Sequence, residues 1–229
     1  MMSEEYRGIR TRILARWENR THLVHTITSA TPKEGKTLTT LNLGVSFGEL
    51  NERRTVVVEG DLRVPMFRNM MPLEDKPGLI HVLRGEADLE DAIQESPQPN
   101  LFVLPAGGKC ADDAIKLISS PEMTQVLQRL RTSFEHVLVD TPPVLDLADA
   151  GLLGAQSDDV LLIVRLNRTP RQLVDQAVRT LTSYNAPVVG AILTDLPVLH
   201  SGYYNNYRYA YRYRNHYHRD ARRQRAMAA

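Results

Sequence analysis

The sequence predicts an α/β fold, a mainly parallel sheet flanked by helices on both faces. Three observations lead there. Short β-branched or aliphatic runs alternate with longer segments of helical periodicity. A loop ending in Gly35-Lys36-Thr37 joins the first such run to the first helical pattern. The alternation stops near residue 200, where the composition changes abruptly. Strands alternating with helices imply βαβ units, hence a parallel sheet.

The elements follow in order. Residues Ser3–Arg20 read as a helix capped by Ser3, with Glu4 and Glu5 favourable in its first turn. It precedes the first strand and is expected to pack outside the main sheet. Strands are expected at His22–Thr28, Thr55–Glu59, Leu101–Leu104, His136–Asp140, Val160–Val164 and Val188–Leu193, each bounded by turn residues. A helical pattern covers Leu38–Leu50. Met123, Val126, Leu127 and Leu130 repeat at i, i+3, i+4, i+7 after Pro121, and Leu173, Val174, Ala177, Val178 and Leu181 do so after Pro170. Residues 63–100 read as short helices and loops, with turns near 75–78 and 96–100.

Residues 1–200 carry enough spaced apolar runs for one core, and 201–229 form a separate tail expected to be flexible. Seven of the nine tyrosines lie in that tail: Tyr203, Tyr204, Tyr207, Tyr209, Tyr211, Tyr213 and Tyr217. Aliphatic partners are nearly absent among them. Seven arginines against Asp220 give the tail a net charge of +6, which leaves −5 for the body of a chain whose total is +1. Cys110 is the single cysteine, which excludes an intrachain disulfide and a cysteine-clustered zinc site. No run reaches the roughly 18–20 apolar residues of a membrane span, and the first residues lack a signal-peptide core. These features predict a cytoplasmic protein.

The chemistry begins at Ala30–Thr37, which fits a phosphate-binding loop of the form [AG]-x4-G-K-[ST] in a strand–loop–helix context. The loop residues Thr31, Pro32, Lys33, Glu34 and Gly35 and the helix start at Lys36, Thr37 and Leu38 would bind ATP, with backbone N–H groups surrounding its phosphates. Lys36 would reach the β and γ oxygens and the Thr37 hydroxyl would bind Mg2+. The second strand ends in Glu59-Gly60-Asp61 and the fourth in Asp140-Thr141-Pro142-Pro143. Carboxylates at the C-terminal ends of parallel strands face the ligand crevice. Asp140 suits a magnesium ligand, directly or through water. Glu59 and Asp61, two residues apart, would share a face of a continuing strand, one serving the metal and the other accepting a hydroxyl proton.

With these residues in place, the chain resembles the bacterial tyrosine kinases of capsule and exopolysaccharide assembly, built on the P-loop fold of the septum-site and plasmid-partition ATPases. The resemblance runs from an ExxRxxR segment (Glu4, Arg7, Arg10) through Pro32–Thr37 and Glu59-Gly60-Asp61-Leu62-Arg63-Val64-Pro65. It continues through Pro77-Gly78-Leu79, Leu83-Arg84-Gly85, Leu104–Gly107, Asp140–Pro143, Asp149-Ala150, Val164-Arg165 and Thr169-Pro170 to the closing tyrosine cluster. It implies an ATP-dependent autokinase that phosphorylates its own tyrosine tail and regulates polysaccharide polymerisation and export. Lys36 and Thr37 would bind phosphate and magnesium, and Asp61 and Asp140 would serve the metal. Glu4, Arg7 and Arg10 would contact a neighbouring subunit of a homo-oligomer.

The resemblance also implies a transmembrane chain-length regulator as activator, a cognate tyrosine phosphatase, and a place at the inner face of the membrane through that partner. Glu59 stands where the family has an aspartate that activates the tyrosine hydroxyl. Thr194 stands where it often has an asparagine near the nucleotide base. Lys33 replaces a frequent glycine, and Asp113-Ala114 a common Asn-Pro.

The tail leaves the last strand on the side of the active site, so reaching its own site needs a sharp reversal and delivery to a neighbour is easier. Each phosphotyrosine adds about −1.5 to −2 charges, which would take the tail to roughly −4.5 to −8 and let subunits separate. Three rivals stand beside this reading. A partition-type ATPase would carry a second lysine where Thr31 stands. An RNA-binding tail would use tyrosine stacking, but no folded nucleic-acid motif accompanies it and nucleic acid is not an expected partner. A kinase-inactive nucleotide-dependent regulator of the same family would account for Glu59 and Thr194.

Overall fold

In the computed structural model, residues 4–195 are described, apart from 19, 51 and 52. The tyrosine-rich segment and Ser3 lie outside them, so the expectations for the tail and for the Ser3 cap are not placed. Seven strands form one sheet: β1 (Leu23–Ser29), β2 (Thr55–Glu59), β3 (Gln94–Glu95), β4 (Leu101–Leu104), β5 (His136–Asp140), β6 (Asp159–Arg165) and β7 (Val188–Thr194). Their order is β3-β4-β2-β5-β1-β6-β7. Every pairing is parallel except β3 with β4. The six expected strands are present, and β3 is added to them. Two residues are too few to show a period, which is why that edge strand reads as loop.

Both faces of the central strands are buried, so these are continuous apolar runs whose side chains alternate between layers, while edge strand β7 is partly exposed. Val56, Val58, Val137 and Val139 join one core with α4 (Leu79–Leu83), α5 (Leu89–Ala92), α6 (Ala114–Ile118) and α7 (Pro121–Ser133). Val57, Leu138, Leu161 and Ile163 face the opposite side, against α1 (Glu4–Arg16), α2 (Lys36–Gly48) and α3 (Phe67–Met70). A third cluster lies where Val160, Leu162 and Val164 meet α8 (Asp149–Gly154) and α9 (Arg171–Ser183). In α7, Ser120 caps the helix by accepting from Met123 N at 3.3 Å, with Pro121 in the first turn.

Helix α1 is shorter than the expected Ser3–Arg20, because the chain turns after Arg16 through Trp17 N–H to Leu14 O and Arg20 N–H to Trp17 O. Tyr6, Ile9, Ile13, Leu14 and Trp17 pack it on the same apolar layer as α2. No helix among the described residues is long and apolar enough to cross a membrane.

Two glycine-containing segments lock together below the sheet's ligand end. A Cβ on Gly78 would lie 2.3 Å from the Gly107 nitrogen, and one on Gly107 2.6 Å from the Gly78 nitrogen. The close approach lets Leu79 N–H and Ile80 N–H donate to the carbonyls of Pro105 and Ala106. The Pro77-Gly78-Leu79 and Leu104–Gly107 motifs are thus two halves of one contact.

Candidate active site

The C-terminal ends of β1, β2, β5, β6 and β7 converge on the loop from Ala30 to Gly35. Ser29 Oγ donates to Thr31 O at 2.7 Å, and Thr39 N–H donates to Gly35 O at 2.9 Å as α2 begins. Lys33 and Gly35 take positive φ, 64° and 94°. The Glu34 side chain is buried and turned back on the loop, accepting from Thr31 N–H at 3.2 Å and from the Thr169 hydroxyl. Thr194 Oγ1 donates to Glu34 O at 2.8 Å, and Arg165 donates to Lys33 O at 3.2 Å. The last residues of β6 and β7 therefore hold the loop open from outside. Thr194 reaches the loop backbone with its hydroxyl and lies against Gly35 with its methyl group. Pro32, Lys33 and Leu38 point outward and are exposed.

At the foot of the loop, Thr37 Oγ1 donates to Asp140 Oδ2 at 2.8 Å. Thr40 Oγ1 lies 3.0 Å from Lys36 O and 3.3 Å from Asp140 Oδ1, so its single proton is shared between them. Asp140 ends β5, level with Ile27 of β1 and Glu59 of β2. The following residues run back along β1: Thr141 N–H donates to Ile27 O, Thr28 Oγ1 to Pro142 O and Val144 N–H to Ser29 O. Burial pushes the Asp140 carboxyl up to about 7, aided by the negative charges of Asp61 and Glu59 and opposed by the Thr37 hydrogen bond and the Lys36 charge.

Glu59 and Asp61 do not behave as a pair on one face. Strand β2 stops at Glu59, Gly60 N–H donates to Asp140 O at 2.8 Å, and Leu62 N–H turns back to Gly60 O. A Cβ on Gly60 would meet Asp140 O at 2.8 Å, so this tight turn against β5 needs glycine. Glu59 is 2% exposed. Its Oε1 accepts from Met66 N–H at 2.5 Å and Phe67 N–H at 2.6 Å, and its Oε2 from Ala106 N–H at 2.9 Å. Asp61 is half-buried and uses Oδ1 to accept from the amides of Val64, at 2.9 Å, and Arg63. Burial raises both carboxyls above the usual range; the Val64 amide, then the Lys36 charge and the Arg63 amide, draw Asp61 back down, and Glu59 is opposed by its three amides.

Several residues that the sequence matches only as motifs, without a role, support the site in the structure. Arg63 forks onto buried Asp149, with Nε to Oδ2 at 2.7 Å and Nη2 to Oδ1 at 3.1 Å, and its Nη1 donates to Ala111 O. This bidentate pair anchors the segment just after Asp61 to α8. Thr40, Glu34, Arg165 and Thr169 are likewise parts of the loop's support. Thr40 could have been found from its position one turn beyond Lys36; Thr169 is matched as part of Thr169-Pro170, but nothing local ties it to Glu34, 135 positions away. Glu4, Arg7 and Arg10 gather on Glu49 at the end of α2. Arg7 donates to both Glu49 oxygens, at 2.9 and 2.6 Å, and to Glu4 at 2.8 Å, while Arg10 reaches Glu49 at 3.4 Å and the Ser46 carbonyl. These contacts are within the chain.

The family described as AAA domain matches residues 26–186. Tyrosine-protein kinase YwqD of Bacillus subtilis (strain 168) is 33% identical over 191 residues, covering 83% of this chain and 80% of that protein. The chain belongs to the bacterial tyrosine-kinase family. Among solved structures, the kinase domain of the Escherichia coli tyrosine kinase ETK superposes with a TM-score of 0.80 at 25% identity, over 86% of this chain and 77% of that one. The septum site-determining protein MinD of Pyrococcus horikoshii OT3, complexed with Mg-ADP, superposes at 0.65 with 26% identity over 75% and 69%. The P-loop fold expected from the sequence is therefore the fold of the family. Other curated relatives are longer, and the chain spans 24–27% of them.

Proposed function

We propose that the chain is an ATP-dependent protein-tyrosine autokinase that transfers the γ-phosphate to Tyr203, Tyr204, Tyr207, Tyr209, Tyr211, Tyr213 and Tyr217 of a neighbouring copy. The observation that carries this reading is the convergence of Lys36, Thr37, Asp140 and half-buried Asp61 where three parallel strands end. The donor set at the Thr37–Asp140 contact is hard oxygen throughout, which fits Mg2+ completed by phosphate oxygens. When bound, the metal supplies charge neutralisation to the transferring phosphoryl group. Lys36 attracts and orients the β and γ oxygens. The loop amides, held in shape by Thr194, Arg165 and Glu34, supply donors that need no reorganisation. Phosphoryl transfer through a loose transition state depends on in-line placement more than on a strong nucleophile, so a tyrosine of pKa near 10 suffices.

The same reading divides the chain into a kinase domain over 1–200 and an acceptor tail over 201–229. Glu4 and Arg7 are half-exposed on α1, beside the more buried Arg10, and a second copy can compete there for Glu49. A homo-oligomer, a transmembrane activator of a polysaccharide export system, a cognate tyrosine phosphatase and residence beneath the cell membrane complete the proposal. The relatives' names support the setting: one is a succinoglycan biosynthesis transport protein of Rhizobium meliloti (strain 1021). The alternative is a nucleotide-dependent regulator without kinase activity, favoured by the engagement of Glu59 with three backbone amides.

The test is incubation of the purified chain with ATP and magnesium beside Lys36→Met, followed by intact and peptide mass spectrometry. Lysine-dependent phosphate on Tyr203–Tyr217 is expected. Nucleotide hydrolysis without tail phosphate, even with the activator's cytoplasmic segment added, would favour the regulator.

A further inference from the structure

We infer that Glu59 is a positioning residue for phosphoryl transfer, a backbone clamp that holds two loops around Asp61 rather than the acceptor of the tyrosine proton. The inference rests on the kinase reading for its consequence, but on geometry alone for the clamp.

The carboxylate makes three contacts, all to backbone N–H groups and from two separate segments. Oε1 takes Met66 and Phe67, the residues that open α3; Oε2 takes Ala106, in the turn interlocked with Gly78. Both in-plane lone pairs of Oε1 and one of Oε2 are thus occupied, in a side chain that is 2% exposed. A proton acceptor must come within roughly 2.6–3.2 Å of the hydroxyl it deprotonates, or reach it through one water. One Oε2 lone pair remains, but with the side chain 2% exposed a hydroxyl could reach it only if the surrounding loops opened, and releasing the amides they hold would leave them unpaired, which is costly.

The residue type fits the clamp. From the end of β2 the carboxylate must cross to the start of α3, and glutamate's extra methylene provides that reach. An aspartate at position 59 would hold its carboxylate about one bond length nearer the strand. Between the clamped points runs Leu62–Pro65, with Arg63 fastened to Asp149 and the Asp61 carboxylate turned by the amides of Arg63 and Val64. The clamp fixes both ends of the segment that aims Asp61, a half-buried carboxylate close enough to feel the Lys36 charge.

The two hypotheses order the substitutions oppositely. For a base, Glu59→Asp restores the family's residue and should keep activity, whereas Glu59→Gln removes the base and should cost about 10²–10⁴-fold. For a clamp, Gln keeps an oxygen for Met66 and Phe67 and loses only Ala106, whose N–H would meet the new NH2 group, whereas Asp falls short of all three amides. We expect Glu59→Gln to retain tyrosine transfer within about tenfold of wild type with an unmoved pH–rate profile. Glu59→Asp should be the weaker enzyme, its loss in kcat rather than in the KM for ATP. Hydrogen exchange of the Met66, Phe67 and Ala106 amides, read by NMR on the full chain, should accelerate about tenfold or more in Glu59→Asp. The exchange measurement needs no kinase activity, so it judges the clamp even if tail phosphorylation fails in wild type. Unchanged protection at those amides in Glu59→Asp, or an active Glu59→Asp beside a dead Glu59→Gln, overturns the inference.

Discussion

The two ends of the sheet both carry buried polar side chains, and they use them in opposite ways. At the C-terminal end, Lys36, Thr37, Asp61 and Asp140 form a group of like and unlike charges whose hydrogen-bonding capacity is only partly filled. At the N-terminal end, a row crosses from α1 to β5. Trp17 Nε1 donates to Asp159 Oδ2 at 2.6 Å, Asp159 Oδ1 lies 2.9 Å from His25 Nδ1, and His25 Nε2 lies 3.2 Å from His136 Nδ1. His25 and Asp159 are fully buried, and Phe47 stacks on His25 and packs tilted against His136. Only His136 Nε2 lacks a partner in this row; Thr55, level with it on β2, has an unpaired Oγ1. One end holds polar groups ready for a ligand. The other closes them on each other and locks α1 to the sheet.

The comparison predicts that substitutions at the two ends separate stability from activity. Asp159→Ala removes the acceptor for Trp17 and His25 together, and should cost about 3–5 kcal/mol by denaturant unfolding. Lys36→Met should abolish tail phosphorylation, at least about 10³-fold, with a denaturation midpoint near that of wild type. If Lys36→Met unfolds as readily as Asp159→Ala, the ligand end is structural and the contrast fails.

A pH titration sharpens the same contrast, because the two ends oppose each other. In the nucleotide-free chain, Asp140 is raised from 3.8 to about 7 by burial, so between those values the folded state holds a proton that the unfolded state has released. Stability from this group is present in acid and is lost as pH rises through about 7. His136 is lowered from 6.5 to about 3 by burial first and by the nearby His25, so in that range the unfolded state holds the extra proton. Stability from this group is lost as pH falls from about 6.5 towards 3. Asp140→Asn should therefore be more stable than wild type above pH 7, by at most about 4 kcal/mol, with the gain vanishing near pH 4. His136→Asn should flatten the loss on the acid side. Parallel stability–pH curves for all three proteins would refute both assignments.

Gly78→Ala tests how far the ligand end depends on backbone contact. Its Cβ would stand 2.3 Å from Gly107 N, in a contact between two main chains that cannot simply rotate away. A loss of about 1–3 kcal/mol is expected in thermal unfolding. Gly190→Ala, with nothing within 4 Å of the new methyl group, is the control and should be close to neutral.

What was legible in the sequence divides along the same lines. The strands, the long helices and the phosphate loop are local patterns, because apolar period and Gly-Lys-Thr spacing are written in consecutive residues. The Thr37–Asp140 contact was recoverable because each partner sits at a strand–helix junction whose position the pattern predicts. The role of Glu59 was not. Its partners come from positions 66, 67 and 106, and the turn at Gly60 breaks the strand period that would have placed it beside Asp61. The row at the opposite end joins Trp17 to Asp159 over 142 positions, and nothing in either neighbourhood announces the other. The Thr194 hydroxyl, expected near the nucleotide base, donates to the loop carbonyl of Glu34, a use that requires knowing how β7 abuts the loop.

The smallest expected effect concerns Lys33, where the family often has glycine. Its φ of 64° is left-handed, a conformation that costs an L-residue about 1–2 kcal/mol and glycine almost nothing. Glycine is also the more flexible residue in the unfolded chain, which returns part of the gain. Lys33→Gly should therefore stabilise the protein by roughly 0.5–1 kcal/mol, a small rise in melting temperature. Its side chain is exposed, and its carbonyl already accepts from Arg165, so what the loop takes from position 33 is backbone. ATP affinity should then be unchanged within about twofold. A clear loss of affinity would make Lys33 a second cationic reader of phosphate and would enlarge the ligand end by one charge. A rise in stability at constant affinity would mean that the loop tolerates a strained lysine there for no benefit to nucleotide binding.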